Sequence, residues 1–243
     1  MRETTIISLE SVDSTSDYLK RHHELWNGNT VVHAREQIKG RGRLNRTWAS
    51  NPGLDLTFSF VVTPGPDISP VSAVSIIAGI ALYRVMANYC AGGLGLKWPN
   101  DLYHSGRKLA GILCELVYSD RPHVIIGIGM NVNSRTFSRD IAGQATSLAM
   151  ITGREHDILK LMREIVASSI DLIGSTTLPL EQHLIDEWNN ASALTGAAVN
   201  YFTGGMWRKG VVLSIDGQGC LVVCDTVAGK EVALCGDIPV IQD

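Results

Sequence analysis

Leu94-Gly95-Leu96-Lys97-Trp98-Pro99-Asn100-Asp101-Leu102-Tyr103-His104-Ser105-Gly106-Arg107-Lys108-Leu109-Ala110-Gly111-Ile112-Leu113-Cys114-Glu115-Leu116-Val117-Tyr118 continues through Ser119-Asp120-Arg121-Pro122 into Val124-Ile125-Ile126-Gly127-Ile128-Gly129-Met130-Asn131-Val132-Asn133. Leu94–Trp98, Leu109–Tyr118 and Val124–Asn133 read as strands, with a hairpin turn at Tyr103–Lys108 and a second turn at Ser119–Pro122. Strands joined by such short turns pair antiparallel, because a parallel return needs a long crossover.

Moving upstream, Leu54, Leu56, Phe58 and Phe60 alternate with polar residues through Val62, the period of a strand with one face in the core. Thr63-Pro64-Gly65-Pro66-Asp67 should stop that strand, and Ser69 to Cys90 reads as a long helix, buried over much of its circumference and ended by Ala91-Gly92-Gly93. Thr5–Leu9 and Thr30–Ala34 are further strands. Between them Ser14 with Asp17 resembles a capping box that starts a helix, with Tyr18, Leu19, Leu25 and Trp26 on its apolar side. Ser14 and Thr15 can serve as caps or as ligand contacts. Downstream, Ser147–Ile151, His156–Ile173 and Leu180–Asn189 read as helices, Leu159, Met162, Ile165, Val166 and Ile170 sharing an apolar face. The pattern is α+β, a mixed, largely antiparallel sheet with helices on one side. A boundary is expected at Asn189-Asn190-Ala191-Ser192, dividing residues 1–190 from 191–243. The tail holds short strands at Val199–Phe202, Gly210–Ile215, Gly219–Cys224 and Glu231–Leu234, with a hairpin at Asp216-Gly217, and suggests a small β-barrel.

The 243 residues are 45% hydrophobic and 19% charged with a net charge of −3, which fits a folded protein and argues against a general nucleic-acid binder. The longest apolar stretch, Val71–Met86, is interrupted by Ser72, Ser75, Gly79 and Arg84, so it reads as a packed helix and no membrane partner is expected. Met1-Arg2-Glu3-Thr4-Thr5 leads straight into a strand-like run, so no signal peptide is expected. The five cysteines include no CxxC pair; Cys220 and Cys224 read as small buried hydrophobes, and a reducing, cytoplasmic setting is expected.

Gln37-Ile38-Lys39-Gly40-Arg41-Gly42-Arg43-Leu44-Asn45-Arg46-Thr47-Trp48 carries four cations and no carboxylate. It lacks an apolar period, so it reads as a mobile loop that orders over a ligand. Alternating glycines and arginines allow close backbone approach and guanidinium contact with phosphate or carboxylate, and Trp48 offers a flat face to a ring system. A solvated basic loop would share the composition.

This loop, Lys97-Trp98-Pro99-Asn100-Asp101 with Lys108-Leu109-Ala110-Gly111-Ile112-Leu113, and Gly127-Ile128-Gly129-Met130-Asn131-Val132-Asn133 together resemble the biotin–protein ligases (biotin–[acetyl-CoA-carboxylase] ligases). The resemblance covers roughly residues 6 to 135. It implies the fold shared with lipoate ligases and class II synthetases, followed by an SH3-like barrel. It also implies a two-step reaction. Biotin and ATP, with Mg²⁺, give biotinyl-5′-AMP, and a lysine of a biotin carboxyl carrier protein then accepts the biotin.

Transferred to matching positions, Lys108 and Arg43 are the catalytic residues. Ser14, Thr15, Ser16, Gln37, Gly40, Arg41, Gly42, Arg43, Lys108, Gly111 and Gly127 surround biotin. Arg41, Arg43, Arg46, Trp48, Asn100, Lys108, Asn131 and Arg135 surround ATP, and Asp101 holds magnesium. Ser16 stands where the family commonly has asparagine, and Lys39 adds a cation before the loop. The first strand opens near Met1, so the form without the N-terminal DNA-binding domain is expected, with no DNA partner and either a monomeric or a homodimeric state. A lipoate or octanoate transferase of the same fold, or a non-catalytic biotin-sensing module, are the alternatives.

Overall fold

The computed structural model describes residues 4–26, 30–63, 71–119, 121–236 and 238–242. Pro64–Asp67 of the expected strand stop, Ser69 at the expected helix start and Asp120 of the second turn lie outside them. A seven-stranded sheet, in the order β1-β2-β3-β7-β6-β5-β4, forms the larger part. Its strands are β1 (Thr5–Val12), β2 (Thr30–Gln37), β3 (Leu56–Val62), β4 (Leu94–Lys97), β5 (Asp101–His104), β6 (Arg107–Tyr118) and β7 (Pro122–Met130). β1 runs parallel to β2, and every other pair is antiparallel. The hairpin from β5 to β6 turns at Ser105 and Gly106, both with positive φ (47° and 77°), as a tight two-residue connection between right-twisted strands requires.

One face of the sheet is covered by α2 (Val71–Ala87), buried without interruption from Ala73 to Leu82, and by α4 (Ile158–Ser175) packed against it. A helix apolar all round belongs in an interior, and this one shares its apolar cluster with Phe58, Phe60, Ile126 and Ile128. On α4 the buried face uses Leu161, Met162, Ile165 and Val166; Leu159, expected there, is exposed because it lies on the opposite side of the turn. α3 (Leu148–Thr152) and α5 (Gln182–Ala191) complete this layer.

Helices do not occupy one side alone. α1 (Thr15–Arg21) lies on the opposite face, where Leu19 packs with Val32, Val61 and Ile125. β3 is therefore buried along its whole length, and Leu54, expected to begin it, is exposed. Its alternation is real, but Thr57 and Ser59 face protein instead of solvent.

The tail forms a five-stranded antiparallel sheet, β11-β10-β9-β8-β12, from β8 (Ala198–Thr203), β9 (Met206–Ile215), β10 (Leu221–Asp225), β11 (Glu231–Leu234) and the unforeseen β12 (Val240–Gln242). Its buried residues Val199, Tyr201, Val212, Leu221 and Val223 belong to the same apolar cluster as α2. The turn between β9 and β10 is tied by the Asp216 carboxylate, which accepts from the backbone N–H of Gln218 and Cys220 at 2.8 and 2.9 Å. Gly219 there has φ of 75°, and a Cβ would lie 3.1 Å from the Ala73 backbone of α2. The cysteine reading needs correction: Cys220 is disulfide-bonded to Cys235, with Cα atoms 4.6 Å apart, while Cys90, Cys114 and Cys224 are free. Spacing along the chain carried no sign of this pair because the sheet brings the two together.

Candidate active site

α1 shields only part of its face of the sheet, and the rest is the floor of a cavity of about 460 Å³. The floor is built from register. Gly129, Gly111 and Asp101 are successive cross-strand partners on β7, β6 and β5, and Ser59, Gly127 and Leu113 form the next row. Glycine inside a strand leaves a depression where a side chain would stand. The indole of Trp48 lies over Gly129 and Gly111, and a Cβ on Gly129 would overlap it.

One wall is neutral and polar. The backbone N–H and hydroxyl of Thr15 donate to Gln37 Oε1 at 2.8 and 3.1 Å. Ser59 Oγ is hydrogen-bonded to Thr15 Oγ1 at 2.7 Å and to Ser16 Oγ at 2.9 Å. A Cβ on Gly127 would sit 2.7 Å from Ser16 Oγ, so the glycine makes room for this cluster. Ser14 caps α1 through the N–H of Asp17, at 3.4 Å, and also lines the cavity.

The charged part of the lining contains Arg41, Arg43, Arg46, Lys97, Lys108 and Asp101. Lys108 Nζ is 2.7 Å from Asp101 Oδ2 and 5.5 Å from the centre of the Trp48 ring. Asp101 Oδ1 and Trp48 Nε1 are buried without a hydrogen-bond partner. A buried acceptor and donor left unpaired are costly, and a bound ligand offers partners for both. Tyr103, also in the lining, has its phenol pushed up to about 12 by burial and by the Asp101 charge, so it stays protonated.

The basic loop folds as a short ladder: Trp48 N–H donates to Gly40 O at 2.9 Å, Gly42 N–H to Arg46 O at 2.7 Å, and Arg41 bridges Thr47. Leu44 at its tip is left-handed, with φ of 54°. Arg41 Nη2 lies 2.6 Å from Asp17 Oδ1 and 3.0 Å from Glu115 Oε2, and Lys20 joins the same carboxylates at 3.4 and 2.7 Å. Arg43 donates to the Gly236 carbonyl at 2.8 Å and stands 5.9 Å from the Trp98 ring. Part-exposed ion pairs contribute only about 0–1 kcal/mol each, so the loop is held by contacts that can be exchanged.

Of the residues singled out from sequence, Ser14, Thr15, Ser16, Gln37, Arg41, Gly42, Arg43, Arg46, Trp48, Asn100, Asp101, Lys108, Gly111 and Gly127 all line this cavity. Gly40, Asn131 and Arg135 do not. Gly40 closes the loop ladder. Asn131 is buried, donating to the Thr146 and Lys108 carbonyls at 3.0 and 3.4 Å, and so steadies the start of β6, which carries Lys108. Arg135 is exposed. Asn100 also binds the strand beside it, its side-chain amide donating to Ile112 O. Sequence reasoning missed Ser59, Gly129 and the wall formed by Trp207, Ile238, Val240 and Ile241. The alternation Gly127-Ile128-Gly129 was a usable signal for the second floor glycine.

A family model described as the biotin/lipoate A/B protein ligase family matches residues 8–131. The bifunctional ligase/repressor BirA of Bacillus subtilis is 33% identical over 162 residues, covering 63% of this chain and 50% of that protein, so the chain spans half that relative's length. The biotin–[acetyl-CoA-carboxylase] ligase of Mycobacterium tuberculosis is 32% identical over 220 residues, covering 86% of this chain and 77% of that protein. Among solved structures, biotin protein ligase from Aquifex aeolicus in complex with biotin and ATP matches with a TM-score of 0.85 at 26% identity, over 99% of this chain and 100% of that one. With its matched region spanning the strands and loop that build the cavity, the chain belongs to the biotin/lipoate A/B protein ligase family.

Proposed function

We propose that this protein is an ATP-dependent biotin ligase that forms biotinyl-5′-AMP and transfers the biotin to a lysine of a biotin carboxyl carrier protein. The observation that carries the reading is a single cavity presenting both a neutral hydrogen-bonding wall, from Thr15, Ser16, Gln37 and Ser59, and a cationic lining around Lys108. The first suits an uncharged polar head group, and the second suits a carboxylate meeting a phosphate. In the first step a biotin carboxylate oxygen bonds to the α-phosphorus, the bond to the β-phosphate breaks, and pyrophosphate leaves. In the second, the carrier's amine bonds to the acyl carbon, the mixed anhydride breaks, and AMP leaves.

Two anions must approach one another in the first step, and fixed positive charge lowers that barrier most where charge accumulates. Lys108, held by Asp101 and by the Trp48 face, is suited to lie between carboxylate and α-phosphate. Magnesium brought by the nucleotide fits the unpaired oxygen of Asp101, a hard donor of the kind such ions take singly alongside phosphates. It would supply charge neutralisation on the phosphates. Among the described residues no cluster of three or more His, Cys, Asp or Glu forms an all-protein metal site.

The test mixes the protein with Mg-ATP, an acceptor domain and biotin, lipoate or octanoate, and weighs the acceptor by mass spectrometry. A gain of one biotinyl group is expected. Modification by lipoate or octanoate and not by biotin would overturn the substrate.

A further inference from the structure

We propose that the Cys220–Cys235 disulfide is a redox-sensitive clasp that positions Arg43 and Trp98, so that the state of two cysteines outside the cavity sets how firmly the site holds its nucleotide. The two cysteines stand next to the carbonyls that anchor the cavity. Trp98 Nε1 donates to the carbonyl of Gly219, beside Cys220, at 3.1 Å. Arg43 donates to the carbonyl of Gly236, beside Cys235, at 2.8 Å. The Arg43 guanidinium lies 5.9 Å from the Trp98 ring. A closed circuit results, running from Arg43 through Gly236, the disulfide and Gly219 to Trp98 and back across the cation–ring contact. Beyond it, Ile238 to Ile241 wall the cavity.

The two ends of the clasp differ in burial. Cys220 is fixed: it is buried, its N–H bonds the Asp216 carboxylate, and Gly219 presses on α2. Cys235 is exposed and lies just past β11, where Leu234 pairs with Leu221, so beyond that ladder the disulfide adds a covalent tie between its carbonyl-bearing neighbour and the fixed turn. A dithiol can reach it. One thiolate of the reagent bonds to Cys235 Sγ, the disulfide breaks, and Cys220 leaves as a thiolate and takes a proton. The reagent's second thiol then displaces Cys235. Two electrons and two protons pass to the cysteines, and the dithiol becomes its cyclic disulfide. Gly236, whose carbonyl Arg43 holds, and the C-terminal wall thereby lose the disulfide cross-link to the turn that holds Trp98.

The kinetic consequence rests on the ligase reading, but the structural one does not, and the experiment separates them. The full chain is poised oxidised, with three free thiols, or reduced with dithiothreitol, with five. Hydrogen exchange of the substrate-free protein should speed up over residues 40–48 and 238–242 on reduction, leaving 122–130 unchanged. In biotin-dependent ATP–pyrophosphate exchange the KM for ATP should rise about tenfold, the loss of roughly one charged hydrogen bond, with kcat held within about twofold. Reoxidation should restore both, and the Cys220→Ser/Cys235→Ser variant should behave as the reduced protein and ignore the dithiol. Exchange at 40–48 that is identical in protein proven to carry three and five thiols would overturn the clasp, as would five thiols persisting after mild oxidation. Altered exchange without ATP turnover in either state would support the clasp and reject the ligase reading.

Discussion

Lys108 and Asp101 form an ion pair that leaves one carboxylate oxygen buried and unpaired, so the pair is complete only with a ligand present. On the proposed mechanism, replacing Lys108 by alanine removes the charge between two anions. Adenylate formation should fall by at least about 10²-fold in ATP–pyrophosphate exchange, the usual loss for a group aimed at developing charge, while biotin binding measured by calorimetry survives in part. Full exchange activity in that variant would remove Lys108 from the chemistry. Arg43→Gly cuts the link to Gly236 and should let the adenylate escape. Diffuse biotinylation of bystander proteins, seen by avidin blotting, is the expected sign, and labelling confined to the acceptor would contradict it.

Within the elements, the small sheet carries its own acid-sensitive contact. Buried Tyr201 donates to Asp225 Oδ2 at 2.6 Å, and Arg208 lies 3.5 Å from the same oxygen. The Tyr201 hydroxyl, then the Ala228 N–H, hold the Asp225 carboxyl at about 2 against an ordinary 3.8. A folded-state value below the unfolded one stabilises fully above the unfolded value and is lost as pH falls toward the folded one. Thermal unfolding followed by circular dichroism should therefore weaken between about pH 4 and pH 2, and Asp225→Asn should flatten that slope; an unchanged slope would place the acid sensitivity elsewhere.

The legibility of these features follows from how local they are. The hairpins from Leu94 to Asn133 were readable because their turns are short; the loop arginines stood out by composition, while Lys108 and Asp101 were readable only because three separated stretches in this order resemble one family. Ser59 was not: a serine alternating with phenylalanines reads as solvent-facing until α1 is seen lying over it. Nor was β12 with the wall residue Ile241, which reaches the cavity only through a register with β8 that no local pattern encodes.

Across the whole molecule, one apolar cluster runs from the large sheet through α2 into the small sheet, so residues 1–190 and 191–243 are expected to unfold together. Calorimetry of the oxidised protein should give one transition. The disulfide spans a sequence separation of 15, for which the chain-entropy model assigns about 3 kcal/mol. At roughly 2–4 °C per kcal/mol for a chain of this size, reduction should lower Tm by roughly 6–12 °C. Two separated transitions, or an unchanged Tm with five titrated thiols, would refute this account.

The glycine floor has a genetic consequence. Every missense change in the codons for Gly111, Gly127 and Gly129 adds at least a Cβ, and at these positions even that atom meets Trp48, Ser16 or Asp101. Neighbouring Ile126 and Ile128 face the apolar layer and can exchange one aliphatic side chain for another. A saturation-mutagenesis map of β7 should thus alternate residue by residue, with Ile126 and Ile128 accepting conservative alleles, Gly127 accepting few, and Gly129, which faces the Trp48 ring, accepting fewest.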